Sequence, residues 1–127
     1  MKLRIVVADD NTAFLAKLVS VLATEFEVVA TSRDGKSALE CIRLWQPNVV
    51  VLDLEMPGIN GIEVAKELIT SPSSPAVVIC SVENDPEVVE AARQAGALGY
   101  VFKARMAEDL IAAVKSVSRG QSFVSPS

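Results

Sequence analysis

Val49-Val50-Val51-Leu52-Asp53 is the stretch that decides the fold. Four apolar residues run together, three of them β-branched, with no polar residue between them. A strand with one wet face would alternate. An unbroken run is buried on both sides, and strands buried on both sides belong to parallel sheets covered by helices. AVVIC at Ala76–Cys80 reads the same way. Working outward, the strand candidates are Leu3–Ala8, Glu27–Thr31, Val49–Leu52, Ala76–Ser81 and Leu98–Phe102.

Helical patterns separate them. Phe14, Leu15, Leu18, Val19 and Leu22 form one apolar stripe. Ala38, Leu39, Ile42 and Trp45 form a second, and Ile62, Ala65, Leu68 and Ile69 a third. Val88, Ala92 and Ala95 form a weaker fourth, and Leu110, Ile111, Val114 and Val117 a fifth. All keep the three-to-four spacing of a helix face. Asp85 before Pro86 reads as a cap with proline in the first turn, and Asn60 as a cap on the third helix. Gly96 marks a helix end, Pro57-Gly58 a turn, and SPSSP at Ser71–Pro75 a loop.

A β-α unit repeated five times with right-handed crossovers gives a doubly wound, three-layer α/β sandwich. The expected sheet has five parallel strands. At 127 residues the chain fits one domain with a real core. The tail GQSFVSPS, Gly120–Ser127, has no helical period and reads as the start of a linker.

The composition excludes several function classes. The net charge of −4 argues against nucleic-acid binding by this chain. No apolar run approaches the roughly 20 residues of a membrane span. MKLRIVVADD meets acids too early for a secretory signal, so the expectation is a soluble cytoplasmic domain. Cys41 and Cys80 read as packed, reduced thiols. The absence of histidine removes the commonest zinc ligand and any phosphohistidine made within the chain.

In an open α/β sheet, ligands bind past the carboxyl ends of strands, where the strand order reverses. With order 2-1-3-4-5 that point lies between strands one and three. Strand one ends in Asp9-Asp10 and strand three in Asp53. Three anions in one crevice must retain a proton or take a cation. All-oxygen donors suit Mg²⁺, with Mn²⁺ as a substitute. Ser81 ends strand four and Lys103 follows strand five, on the same rim. Alone, Ser81 is a turn residue and Lys103 a solvated lysine. Together with the acids they provide the donors and metal that a phosphoryl group requires. The chain has no GxxxxGK[ST] loop for a nucleotide. An aspartate can itself be the nucleophile and form an acyl phosphate.

Asp9-Asp10, DLEMPGINGIE at Asp53–Glu63, Ser81 and GYVFK at Gly99–Lys103 together resemble the receiver domain of two-component response regulators. The resemblance covers about Lys2 to Gly120 and supports the 2-1-3-4-5, flavodoxin-like order. It implies a receiver at 1–119 and a linker at 120–127. Asp53 is then the phosphoacceptor, and the donor is a sensor histidine kinase or phosphotransfer protein. The metal ligands are Asp10, Asp53 and the Glu55 backbone carbonyl, with Asp9 acting through water. Ser81 and Lys103 contact the phosphoryl group, and Tyr100 is the switch aromatic that turns inward when Ser81 moves.

Two departures stand out. Receivers often have a cis proline after the lysine, where this chain has Ala104. The residue after the serine is commonly alanine, where this chain has Val82. GYVFKA and GQSFVSPS are most similar to NarL/LuxR-type receivers. Those lead through a linker to a helix-turn-helix domain, absent here, that binds DNA. That similarity implies transcription control, with homodimerisation through a helical face as an output. A single-domain phosphorelay receiver and an unphosphorylated interaction module are the alternatives. An aspartyl-nucleophile phosphatase fits worse, because the chain has Asp53-Leu54-Glu55 in place of DxD and no cap domain. No free substrate turnover is expected.

Overall fold

A computed structural model describes residues 2–71 and 74–126. Pro72 and Ser73 of the expected SPSSP loop, and Ser127 of the tail, lie outside the described residues. The elements run β1 Arg4–Ala8, α1 Thr12–Leu22, β2 Glu27–Ser32, α2 Gly35–Trp45, β3 Val49–Leu52 and α3 Gly61–Leu68. They continue with β4 Ala76–Ser81, α4 Pro86–Gln94, β5 Gly99–Phe102, α5 Met106–Ser118 and β6 Phe123–Val124. A 3₁₀ turn, Lys103–Arg105, leads into α5. The five expected strands are present within one residue at each end.

Every strand pairing is parallel, in the order β2-β1-β3-β4-β5-β6. The expectation of five strands is therefore corrected to six. Phe123 and Val124 pair with Gly99 and Tyr100 on the sheet edge. Two residues are too few to show a period of two, so composition alone left this segment as linker.

Strand geometry accounts for the apolar runs. Successive side chains point to opposite faces, so one run supplies two cores. Val6, Ala8, Val50, Leu52, Val77 and Ile79 pack with α2, α3 and α4. Ile5, Val7, Val49, Val51, Val78 and Cys80 pack with α1 and α5. Helix α4 contributes only Ala92 as a fully buried residue, in keeping with its weak stripe.

The helix starts are fixed by side chains that accept from otherwise unpaired backbone N–H groups, each worth about 1 kcal/mol. Asn11 accepts from Phe14 at 3.0 Å and Asp34 from Ser37 at 2.8 Å. Asn60 accepts from the Glu63 N–H at 2.9 Å, and the Glu63 carboxylate accepts in return from the Asn60 N–H at 3.3 Å. Asp85 caps α4, with Pro86 in its first turn. These caps place three helix starts on the rim where strands β1, β3 and β4 end.

Candidate functional site

Each strand delivers its functional residue as it leaves the sheet. The Asp9 N–H donates to the Ser32 carbonyl at 3.1 Å, and the Asp53 N–H donates to the Ala8 carbonyl at 2.8 Å. The last backbone bonds of the parallel ladder thus position both carboxylates. Carboxylate oxygens of Asp9, Asp10 and Asp53 all lie within 4.8 Å of one another. Asp10, Asn11, Asp53, Glu55, Ser81, Val82 and Lys103 line a crevice of about 200 Å³ above them. All the residues expected at the site converge on this rim except Tyr100, which stands behind it in β5.

The neighbouring aspartates take different positions. Asp10 is exposed, while Asp9 is fully buried. Asp9 Oδ1 accepts the Asn11 N–H at 2.8 Å, and Oδ2 lies 2.9 Å from Lys103 Nζ. That second contact is a buried ion pair at hydrogen-bonding distance. Lys103 Nζ also reaches Asp53 Oδ2 at 3.4 Å and sits 4.4 Å above the Phe14 ring. The aromatic face holds the ammonium from beneath by a cation–π contact. Phe14 was legible only as part of an apolar stripe, and nothing in its spacing separates this contact from core packing.

The electrostatics follow from this arrangement. Burial pushes the Asp53 carboxyl up to about 7, the Asp9 charge adds to the rise, and Lys103 opposes it. Burial works against the Lys103 charge, yet Asp9 and Asp53 together outweigh it and raise its pKa. Burial also pushes the Cys80 thiol up to about 12, which keeps it protonated and unsuited to attack. A hard divalent cation fits the donor set: clustered carboxylate oxygens, and more anions than the single ammonium balances.

Ser81 and Tyr100 share an anchor that the sequence did not reveal. Ser81 Oγ accepts the Glu83 N–H at 3.0 Å, and the Tyr100 hydroxyl donates to the Glu83 carbonyl at 2.8 Å. The Tyr100 ring is already inside, 2 % exposed and edge-on to Phe102 at 5.9 Å. Ala104 sits in the 3₁₀ turn, and no cis peptide bond occurs among the described residues. A larger hollow of about 380 Å³ lies at the other end of the sheet, lined by Ile42, Arg43, Gln46 and Glu67 among others. It has none of the site's clustered carboxylates, so we place the chemistry in the smaller crevice.

The profile of the response regulator receiver domain matches residues 5–115. The chain belongs to that family. Receiver domains generally use Mg²⁺ and are generally not enzymes with substrate turnover. This receiver is 36% identical over 127 residues to the transcriptional regulatory protein DegU of Brevibacillus brevis, covering 98% of this chain and 54% of DegU. It is 34% identical over 128 residues to the probable transcriptional regulatory protein NarL of Mycobacterium tuberculosis, covering 99% of this chain and 59% of NarL. The chain therefore spans little more than half the length of these curated relatives. The solved NarL receiver domain from M. tuberculosis superimposes with a TM-score of 0.90 at 33% identity, covering 94% of this chain and 98% of that one. A LuxR-family response regulator from Aurantimonas sp. SI85-9A1 gives a TM-score of 0.93 at 26% identity, covering 99% of this chain and 91% of that one. No described helix is long and apolar enough to cross a membrane.

Proposed function

We propose that this receiver accepts a phosphoryl group on Asp53 from the phosphohistidine of a partner kinase or phosphotransfer protein. The observation that carries the reading is the Asp53 carboxylate facing the crevice, with Lys103 at 3.4 Å and the other acids clustered beside it. An Asp53 oxygen attacks phosphorus as the partner's N–P bond breaks. The bonding pair returns to the imidazole nitrogen, which then takes up a proton. Asp10, Asp53 and the Glu55 carbonyl would hold Mg²⁺, with Asp9 reaching it through water. When bound, the ion offsets charge on the phosphoryl oxygens. Lys103 draws those oxygens to the opposite side.

Ser81 carries the signal. Ser81 reaches a phosphoryl oxygen by moving toward it, and the Glu83 backbone whose N–H it accepts also holds the Tyr100 hydroxyl. The two residues therefore move through one backbone unit. Taking two states from 1:99 to 99:1 requires roughly 5.5 kcal/mol of differential interaction, which a few charge-assisted hydrogen bonds can supply. The relatives' names support a transcriptional output, with residues 1–119 as receiver and the tail leading to a DNA-binding domain. Homodimerisation on phosphorylation and a cytoplasmic location belong to the same reading.

The test is to incubate the protein with acetyl phosphate and Mg²⁺ and weigh it. A gain of one phosphoryl group, absent in Asp53→Asn, is the expected result. No gain from acetyl phosphate or from a phosphorylated kinase would favour a receiver-like interaction module.

A further inference from the structure

The tail is fastened to the site by one buried hydroxyl. Ser125 is 3 % exposed although it lies beyond the last helix. Its N–H donates to the Tyr100 carbonyl at 2.9 Å, which extends the β5–β6 pairing by one residue. Its Oγ accepts the Phe102 N–H at 3.1 Å. That N–H points off the sheet edge, where the short β6 supplies no backbone partner of its own. The Asp109 carboxylate lies near the same hydroxyl, and Arg105 and this hydroxyl together hold its pKa down. Asp109, itself buried, receives Arg105 Nε at 2.8 Å and Nη2 at 3.2 Å.

Lys103 lies between the two ends of this chain of contacts. Phe102 precedes it and Arg105 closes the 3₁₀ turn after it. Among the described residues no side chain caps this turn or the start of α5, unlike the four other α-helices. Ser125 instead holds Phe102, the residue that enters the turn, and Asp109 in α5 holds the Arg105 side chain that closes it.

We infer that Ser125 is a positioning residue for Lys103. The tail clips onto the edge of β5 and holds the 3₁₀ turn so that the ammonium stands between Asp9 and Asp53. The coupling is reciprocal. What engages Lys103 at the site also changes how firmly the tail is held, and any segment joined to the tail would sense it. The inference rests on the phosphoryl-transfer reading for its activity readout but not for its structural one.

The experiment compares the 127-residue protein with Ser125→Ala and Ser125→Thr. Three quantities are read: Asp53 phosphorylation rate from acetyl phosphate at saturating Mg²⁺, Mg²⁺ affinity by calorimetry, and hydrogen exchange at the Phe102 and Ser125 amides. In Ser125→Ala the rate should fall roughly tenfold, because displaced charge lowers transition-state stabilisation. Mg²⁺ affinity should stay within about twofold, because Lys103 is not a ligand. Exchange at both amides should speed up, and Ser125→Thr should restore rate and protection. A wild-type rate in Ser125→Ala with faster exchange would overturn the inference, leaving a purely structural clip. So would a joint fall in rate and Mg²⁺ affinity that tracks loss of fold. If the wild type itself gains no phosphoryl group, the functional reading fails. The inference is then decided by the Lys103 ammonium NMR signal, which must shift in Ser125→Ala and return in Ser125→Thr.

Discussion

Replacing Asp53 by Asn should stabilise the metal-free protein at alkaline pH. In the folded chain the Asp53 carboxyl holds its proton to about 7, against an ordinary value of 3.8. Burial is the main cause and the Asp9 charge the second. The sign follows directly. The folded state binds this proton more tightly than the unfolded state, so the favourable contribution is full below about pH 4 and is lost as pH rises to about 7. At ~1.4 kcal/mol per pH unit, that interval sets a ceiling of about 4 kcal/mol. Asparagine keeps the shape and carries no charge, so it escapes the loss. At ~3–5 °C per kcal/mol for a chain of this size, the ceiling is about 15 °C in Tm, and partial relaxation brings the expected gain to about 5–10 °C. The assay is thermal melting by circular dichroism in EDTA at pH 5 and pH 8, repeated with Mg²⁺. Asp53→Asn should melt above wild type at pH 8, the gap should narrow at pH 5, and Mg²⁺ should raise wild type more than the variant. An asparagine variant that melts at or below wild type at pH 8 in EDTA would refute the reasoning.

Three further predictions concern other parts of the site and core. Val82, 77 % exposed at the mouth of the crevice, should crowd the water that attacks the acyl phosphate. Val82→Ala should lose phosphate about threefold faster, equivalent to ~0.6 kcal/mol, in a chase followed by mass; an equal or slower loss rejects the idea. A Cβ at Gly61 would stand 2.3 Å from the Asp53 carbonyl oxygen, and that backbone cannot yield without moving the site. Gly61→Ala should cost about 1–3 kcal/mol in urea unfolding and slow phosphorylation even at temperatures where it is fully folded. Leu110, fully buried between α5 and the sheet, should cost about 2–5 kcal/mol on truncation to Ala, with phosphorylation of the folded fraction unchanged.

What could be read in the sequence depended on whether position along a strand was enough. Strands β3 and β4 were plain because both faces are buried and no polar residue interrupts VVVL or AVVIC. The convergence of Asp9, Asp53, Ser81 and Lys103 was also plain, since each follows or ends a strand and a parallel sheet aligns those ends. The division of roles between Asp9 and Asp10 was harder. Adjacent residues leave a strand in different directions, and only the ladder bond from Asp9 to Ser32 buries one of them. Phe14, Glu83 and Ser125 act through a ring face, a backbone unit and an edge pairing. None of these has a spacing signature, so each was absorbed into a stripe, a loop or a tail.

The charge count explains why these pieces work together. Three carboxylates against one ammonium leave the rim with two uncompensated negative charges when all are ionised. A divalent cation supplies that difference, which is why proton retention at Asp53 and metal binding compete for the same deficit. On the proposed reading, phosphorylation would turn a single negative charge at Asp53 into about two. The balance is then lost again by one charge, and the groups that can answer are those able to move: the Ser81 hydroxyl and the Lys103 ammonium. Ser81 is tied through Glu83 to Tyr100, and Lys103 lies in the turn that Ser125 fastens to the tail. Both responses therefore arrive at β5 and its edge. On the proposed reading, signal transmission would follow from where these compensating groups are attached, without a separate pathway through the core.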